Sequence, residues 1–129
     1  MNQNKIVQML QKIAIASESV GNARIASALV CRNEIVSVGI NKRKSHPLQA
    51  KYSRNEQAIM VHGELDAIIN ALRDRRLVDI ERSTMYVVRV KRDGSLALAR
   101  PCSGCQRAIV AFGIRSVRYT CDNGDLVML

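Results

Sequence analysis

His62-Gly63-Glu64-Leu65-Asp66-Ala67 and, downstream, Pro101-Cys102-Ser103-Gly104-Cys105 are the stretches on which the reading of this chain turns. The imidazole of His62 and the thiols of Cys102 and Cys105 form a Cys2His set of the kind that selects zinc. Three protein ligands leave one tetrahedral position for water, the arrangement of a catalytic rather than a structural site. Glu64 supplies a carboxylate that is not needed as a ligand and can carry protons. His62 and Glu64 are two residues apart, so inside a regular helix they would point away from each other. They converge only if the helix begins at His62. Cys102 and Cys105 are three apart and share a helix face. A helix N-terminus at Pro101-Cys102 favours the thiolate, and proline there has no N–H to leave unpaired.

The rest of the pattern frames these two helix starts. Residues 2–17 read as an amphipathic helix with Ile6, Met9, Leu10, Ile13 and Ala14 on one face, too short and polar for a membrane span or a signal peptide. Gly21-Asn22 breaks it. Arg24 to Cys31 and Glu34 to Ile40 read as strands joined at Arg32-Asn33. A long cationic stretch from Asn41 to about Ala58 reads as irregular. HGELDAIINAL, residues 62–72, places Leu65, Ile68, Ile69 and Leu72 at helical spacing, and STMYVVRV, residues 83–90, is a strand. Lys91 to Gly94 is a turn. A helix over 102–113 and a strand over 114–120 follow, and Asp122-Asn123-Gly124-Asp125 turns the chain into a last short strand. No repeat or linker divides residues 1–129, which read as one domain.

The order α-β-β-α-β-α-β-β and the pattern H-x-E…P-C-x-x-C together resemble the zinc-dependent nucleobase deaminases, the cytidine and deoxycytidylate deaminase-like superfamily. The resemblance covers essentially the whole chain. It implies an α/β fold, a three-layer α/β/α sandwich on a mixed five-stranded sheet. It also implies an enzyme, a hydrolase acting on cyclic amidines. Its zinc would be held by His62, Cys102 and Cys105, and Glu64 would be the proton carrier. The tight turn before the last strand leaves no room for a helix, so the final strand runs antiparallel, as in the free-nucleoside branch. Gly63 stands where the family most often has alanine. The family resemblance places Asn41 and the Arg100-Pro101 segment at the substrate, and makes a homodimer or homotetramer the expected assembly. Arginine at 100 departs from the small or acidic residue usual there, which leaves the substrate open.

Composition narrows the partners. A formal charge of +9, from 20 basic and 11 acidic residues, favours anionic partners: nucleotides or nucleic acid. Three Tyr, one Phe and no Trp leave few platforms on which single-stranded nucleic acid could stack. Residues 42–54 carry Lys42, Arg43, Lys44, Lys51 and Arg54 with no acid, and read as a lid or a phosphate-binding rim. Four Cys without a secretory leader suit metal and core roles in the cytoplasm, with Cys31 in the core. The leading expectation is hydrolytic deamination of a cytosine-type nucleoside or nucleotide. One alternative is a deaminase of bases in single-stranded DNA or RNA. Another is a non-catalytic module stabilised by zinc, with Cys121 or His46 as a fourth ligand. A dithiol redox site is the remaining reading of the C-x-x-C pair.

Overall fold

The computed structural model describes residues 2–17, 24–53 and 60–129. The Gly21-Asn22 break, Arg54 and Ala58 lie outside them. The elements run α1 (Gln3–Ala16), β1 (Arg24–Cys31), β2 (Glu34–Ile40), α2 (Pro47–Ser53), α3 (Gly63–Arg73), α4 (Leu77–Glu81), β3 (Thr84–Val90), β4 (Leu96–Ala97), α5 (Ser103–Ala111), β5 (Ser116–Thr120) and β6 (Leu126–Met128). The main path of the sheet is β2-β1-β3-β5-β6. β3 and β5 are parallel; the other pairs are antiparallel. The sheet is the mixed one expected, with a sixth strand added. That strand, β4, is two residues long and pairs with Arg89 and Val90, beyond the reach of β5 along β3. Two residues are too few for the alternation that marks a strand in sequence.

Strand alternation sorts the side chains onto two faces. Ala26, Ala28 and Val30 of β1 and Tyr86, Val88 and Val90 of β3 face α1, which buries Ile6, Leu10 and Ala14 against them. Asn2 caps that helix, its Oδ1 accepting from the Lys5 N–H at 2.9 Å. On the other face Leu29, Met85, Val87 and Val117 meet Leu65 and Ile68 of α3, Ile80 of α4 and Ala108 and Ile109 of α5. The result is a three-layer α/β/α sandwich. Arg32 and Asn33 take positive φ, 54° and 63°, which closes the β1–β2 hairpin. The expected C-terminal hairpin is present: β6 pairs with β5 through Thr120↔Leu126 and Arg118↔Met128. No helix among the described residues is long and apolar enough to cross a membrane.

Part of the stretch read as irregular is helical. α2 begins at Pro47, whose missing N–H suits a first helical position. His46 acts as its cap: the Leu48 N–H donates to His46 Nδ1 at 3.1 Å, and the Ala50 N–H to His46 O at 3.2 Å. The sequence signal is Pro47 itself, inside the stretch read as irregular, where it opens a helix. α4 was also missed, since five residues carry too little periodicity to register.

Helix α3 lies on β2 with backbone against backbone. A Cβ on Gly39 would fall 2.2 Å from the Ala67 nitrogen and 2.4 Å from the Gly63 oxygen, so only glycine fits. β2 is an edge strand, and α3 satisfies its outward groups. The Ile40 N–H donates to Asp66 Oδ2 at 3.0 Å, and Asn70 Nδ2 donates to the Val38 carbonyl at 2.8 Å. Ser37 Oγ returns a bond to the Ala67 carbonyl at 2.7 Å. Replacing Gly39 with alanine forces helix and strand apart, and overpacking of this kind costs about 3 kcal/mol or more. Chemical denaturation of Gly39→Ala should show that loss; a midpoint equal to that of the unsubstituted protein would contradict the close approach.

Candidate metal and active site

His62 is the N-cap of α3, with extended backbone (φ −73°, ψ 149°), so its ring leaves the helix axis and Glu64 begins the first turn. This is the boundary position the spacing required. Two side chains fix the cap. The His62 N–H donates to Gln49 Oε1 at 2.9 Å, and the Gly63 N–H donates to Asn41 Oδ1 at 2.6 Å. Both N–H groups would otherwise be unpaired at a helix start. Gln49 is only 1% exposed. No local pattern marks its role, because the seven residues of α2 carry too little periodicity to show a helix.

Cys102 is the N-cap of α5 (φ −66°, ψ 168°), and its Sγ accepts from the Cys105 N–H at 3.5 Å. Gly104 lets the end of α2 pack closely here: a Cβ on it would lie 2.8 Å from the Tyr52 carbonyl oxygen. Arg107 donates to that same oxygen. Gln106 Nε2 donates to the Pro101 carbonyl at 2.8 Å and fixes the entry to the helix.

The two helix starts bring three donors together. His62 Nδ1 is 3.6 Å from Cys102 Sγ and 3.4 Å from Cys105 Sγ, and the donor atoms of all three residues lie within 4.8 Å of one another. Bonds of about 2.3 Å to sulfur and about 2.05 Å to nitrogen, at a tetrahedral angle, put nitrogen and sulfur roughly 3.5 Å apart. The observed separations match this edge, so the residues fit zinc. Among the described residues neither Cys121 nor His46 joins the cluster. The fourth-ligand alternative therefore finds no support in this geometry.

The electrostatics follow from the same contacts. Hydrogen bonds from Cys105 and His62 hold the Cys102 thiol down to about 3. Cys105 is pushed up, first by sharing its hydrogen with Cys102 and then by burial. The bond to Cys102 raises His62 above the ordinary imidazole value against the opposing effect of burial, and Glu64 adds to the rise. Burial raises Glu64 above the usual carboxylate range; its own backbone N–H and His62 work the other way. Glu64 is 4% exposed, and its Oε1 has no hydrogen-bond partner among the described residues. Ser27 Oγ, also buried, is likewise unpartnered. A buried polar atom with no partner is costly to maintain, and such atoms mark places where a ligand completes the site.

A Cβ at Gly63 would sit 3.1 Å from Ile25 Cγ2 and 3.3 Å from Ser27 Oγ, so an alanine there is tight and needs Ile25 to give slightly. The outer residues divide. Asn41 reaches the first turn of α3 through Gly63. Lys42 pairs with buried Asp66 at 3.1 Å and joins Val61 in a backbone bridge. Arg43, Lys44 and Arg100 are exposed, and Pro101 is buried.

A family model described as the cytidine and deoxycytidylate deaminase zinc-binding region matches residues 1–121. Among solved structures, cytidine deaminase from Burkholderia pseudomallei superposes with a TM-score of 0.70 at 17% identity, covering 100% of this chain and 92% of that one. The dCMP deaminase of cyanophage S-TIM5 gives 0.63 at 18%, covering 94% and 86%. RibD of Acinetobacter baumannii gives 0.51 at 18%, covering 91% of this chain but 26% of the larger one. These likenesses establish the fold. A comparison with curated proteins finds no match.

Elemental analysis of purified protein should find about one zinc per chain, since one Cys2His cluster is present. Cys102→Ser and His62→Ala should lose it, while Cys31→Ser and Cys121→Ser keep it. Zinc lost in Cys121→Ser would show a fourth protein ligand.

Proposed function

The chain belongs to the cytidine and deoxycytidylate deaminase zinc-binding family, and from that premise we propose that it hydrolyses a cytosine-type nucleoside or nucleotide to the uracil product and ammonia. As a member of that family it is a zinc-dependent deaminase. The observation that carries the finer reading is Glu64, a buried carboxylate with an unpartnered oxygen beside a zinc-type ligand set.

Zinc bound by His62, Cys102 and Cys105 supplies Lewis acidity, which brings proton loss from water into the neutral range. The remaining chemistry is assigned to this chain's own groups. Glu64 accepts a proton from the attacking water and delivers it to the ring nitrogen next to the reacting carbon. It then takes the second proton, from the hydroxyl now on that carbon, and passes it to the amino group, which leaves as ammonia as the carbonyl forms. Burial suits this work, since it raises Glu64 above the ordinary carboxylate range and so makes it hold an accepted proton more readily. Asn41 accepts from Gly63 through Oδ1, which turns its amide in a fixed direction and leaves Nδ2 to donate to substrate. The Cys102 N–H and the Arg100 carbonyl are assigned to the attacked centre and the leaving group. Lys42, Arg43 and Lys44 are assigned to the substrate rim, with part of the Lys42 charge already engaged by Asp66.

The formal charge of +9 favours a second reading, in which the base is presented by single-stranded DNA or RNA. The scarcity of aromatic residues supports the small-molecule reading over it. A cytoplasmic location is supported by the four cysteines, all free. A homodimer or homotetramer is supported by Val110, a large apolar side chain 78% exposed on the outside of α5.

A panel of cytidine, deoxycytidine, their phosphates, adenine and guanine compounds, and single-stranded oligonucleotides, read by ammonia release, tests the substrate assignment. Turnover of cytosine compounds is the expected result. Glu64→Gln should keep fold and zinc and lose about 100-fold or more in kcat, because the amide cannot accept and return a proton. Retention of more than roughly a tenth of kcat would remove Glu64 from the mechanism.

A further inference from the structure

A cleft of about 580 Å³ opens where β1 begins and β3 ends, lined by Arg24, Arg89, Val90, Lys91, Arg92, Ala97 and Asp122. Among the described residues four cations meet one carboxylate there. Among the described residues none of the four makes a salt bridge. Asp122 is already engaged through Oδ1, which accepts the Leu98 N–H at 3.0 Å. Asp93, in the turn after β3, bonds back to Ser95 through both the backbone N–H and the hydroxyl. The four cations exceed the Asp122 charge, with Lys91 partly offset by Asp93, so the concavity is net positive and an entering anion relieves the repulsion within it.

The placement is not that of solvated edge charge. Arg24 lies on β1 and Arg89 on β3, which are interior strands of the main sheet path. Protection of a free edge therefore does not account for them. The register holds the two in place: Arg24 is opposite Val90, and Arg89 is opposite both Ile25 and Ala97. Arg89 also follows Met85 and Val87 on β3 at the spacing that keeps one sheet face, the face toward α3 and α5. Its neighbour Ile25 is the side chain whose Cγ2 stands 3.1 Å from the Cβ position of Gly63, between His62 and Glu64. One isoleucine thus separates the level of Arg89 from the first turn of α3.

We propose that this cleft binds phosphate, and that it receives the phosphate of the substrate whose base reaches the metal centre. The second half rests on the deaminase reading given above. Arg24 keeps the alternation of Ala26 and Ala28, the α1 face, so it and Arg89 line the cleft at the end of the sheet from its two faces. Each guanidinium is suited to bidentate bonds with phosphate oxygens, and Lys91 and Arg92 add charge from the turn. Phosphate recognition then falls to these four residues more than to Lys42, whose ammonium is held by Asp66.

The test uses the full-length zinc-loaded protein. Inorganic phosphate and pyrophosphate are titrated calorimetrically into it and into Arg24→Gln/Arg89→Gln, Lys91→Gln/Arg92→Gln and Lys12→Gln. Lys12 is an exposed cation of α1, outside the cleft, and controls for net charge. The proposal predicts dissociation constants raised about tenfold or more in both cleft variants and within about twofold in the control. The turn pair is exposed, so it decides the question even if the strand pair fails to fold. Absence of phosphate binding, or equal weakening in all variants, overturns the site. The ratio of kcat/KM for a cytosine nucleotide to that for its nucleoside should fall about tenfold in the cleft variants. An unchanged ratio overturns the link to substrate. If no cytosine compound is turned over, the functional reading fails while the phosphate titration still decides the cleft. A log–log salt slope near −0.7 marks a single phosphate, as on a mononucleotide, and a slope several times steeper marks a strand of nucleic acid.

Discussion

The contact between Gly39 and the first turns of α3 is the constraint on which the site depends. Helix backbone rests on strand backbone there, with no side chain between them. That closeness brings Asp66 within reach of the Ile40 N–H and Asn70 within reach of the Val38 carbonyl. It also brings Asn41, just past the end of β2, to the Gly63 N–H. The start of α3 is thereby fixed in height and rotation, and with it His62 and Glu64. Gly104 does the same for α5, letting it approach the end of α2. The donor cluster is the meeting point of two helix N-termini, each held by a glycine that permits close packing. Their aligned peptide dipoles favour the negative charge that thiolates bring to such a place.

The same burial that orders the site tunes its chemistry. Glu64 is enclosed with an oxygen left unpaired, which in a merely structural residue would be a cost without return. In a proton carrier the same burial is useful, since it makes the carboxylate hold an accepted proton more readily. Two thiols in one cluster diverge for a local reason: Cys102 collects hydrogen bonds at the helix cap, whereas Cys105 is the more deeply buried partner that supplies one.

Much of this was legible in the sequence, and the legible parts share a cause. Helix α3, strands β1 to β3 and the terminal hairpin are long enough, or have turns specific enough, for periodicity to show. The ligand set was legible because cysteine and histidine at those spacings have few other uses. What was missed lies in short elements and long-range contacts. α2, α4 and β4 have from two to seven residues each. Gln49 bonds His62 across 13 positions of chain, and Asp66 pairs with Lys42 and caps a strand edge at once. No local pattern encodes such pairings, since they exist only after the sheet has brought their elements together. Lys42 illustrates the consequence. It read as a phosphate ligand from local charge, and its ammonium is found beside a buried aspartate that the local window could not supply.

The proposed function rests on an open, catalytic zinc centre at His62, Cys102 and Cys105. X-ray absorption at the zinc edge measures this most directly. Two sulfur neighbours at about 2.3 Å and two light-atom neighbours at about 2.0 Å are expected, one of the light atoms replaceable by an added small ligand. A third sulfur, or a fourth neighbour that no added ligand displaces, would mark a closed structural site and contradict it.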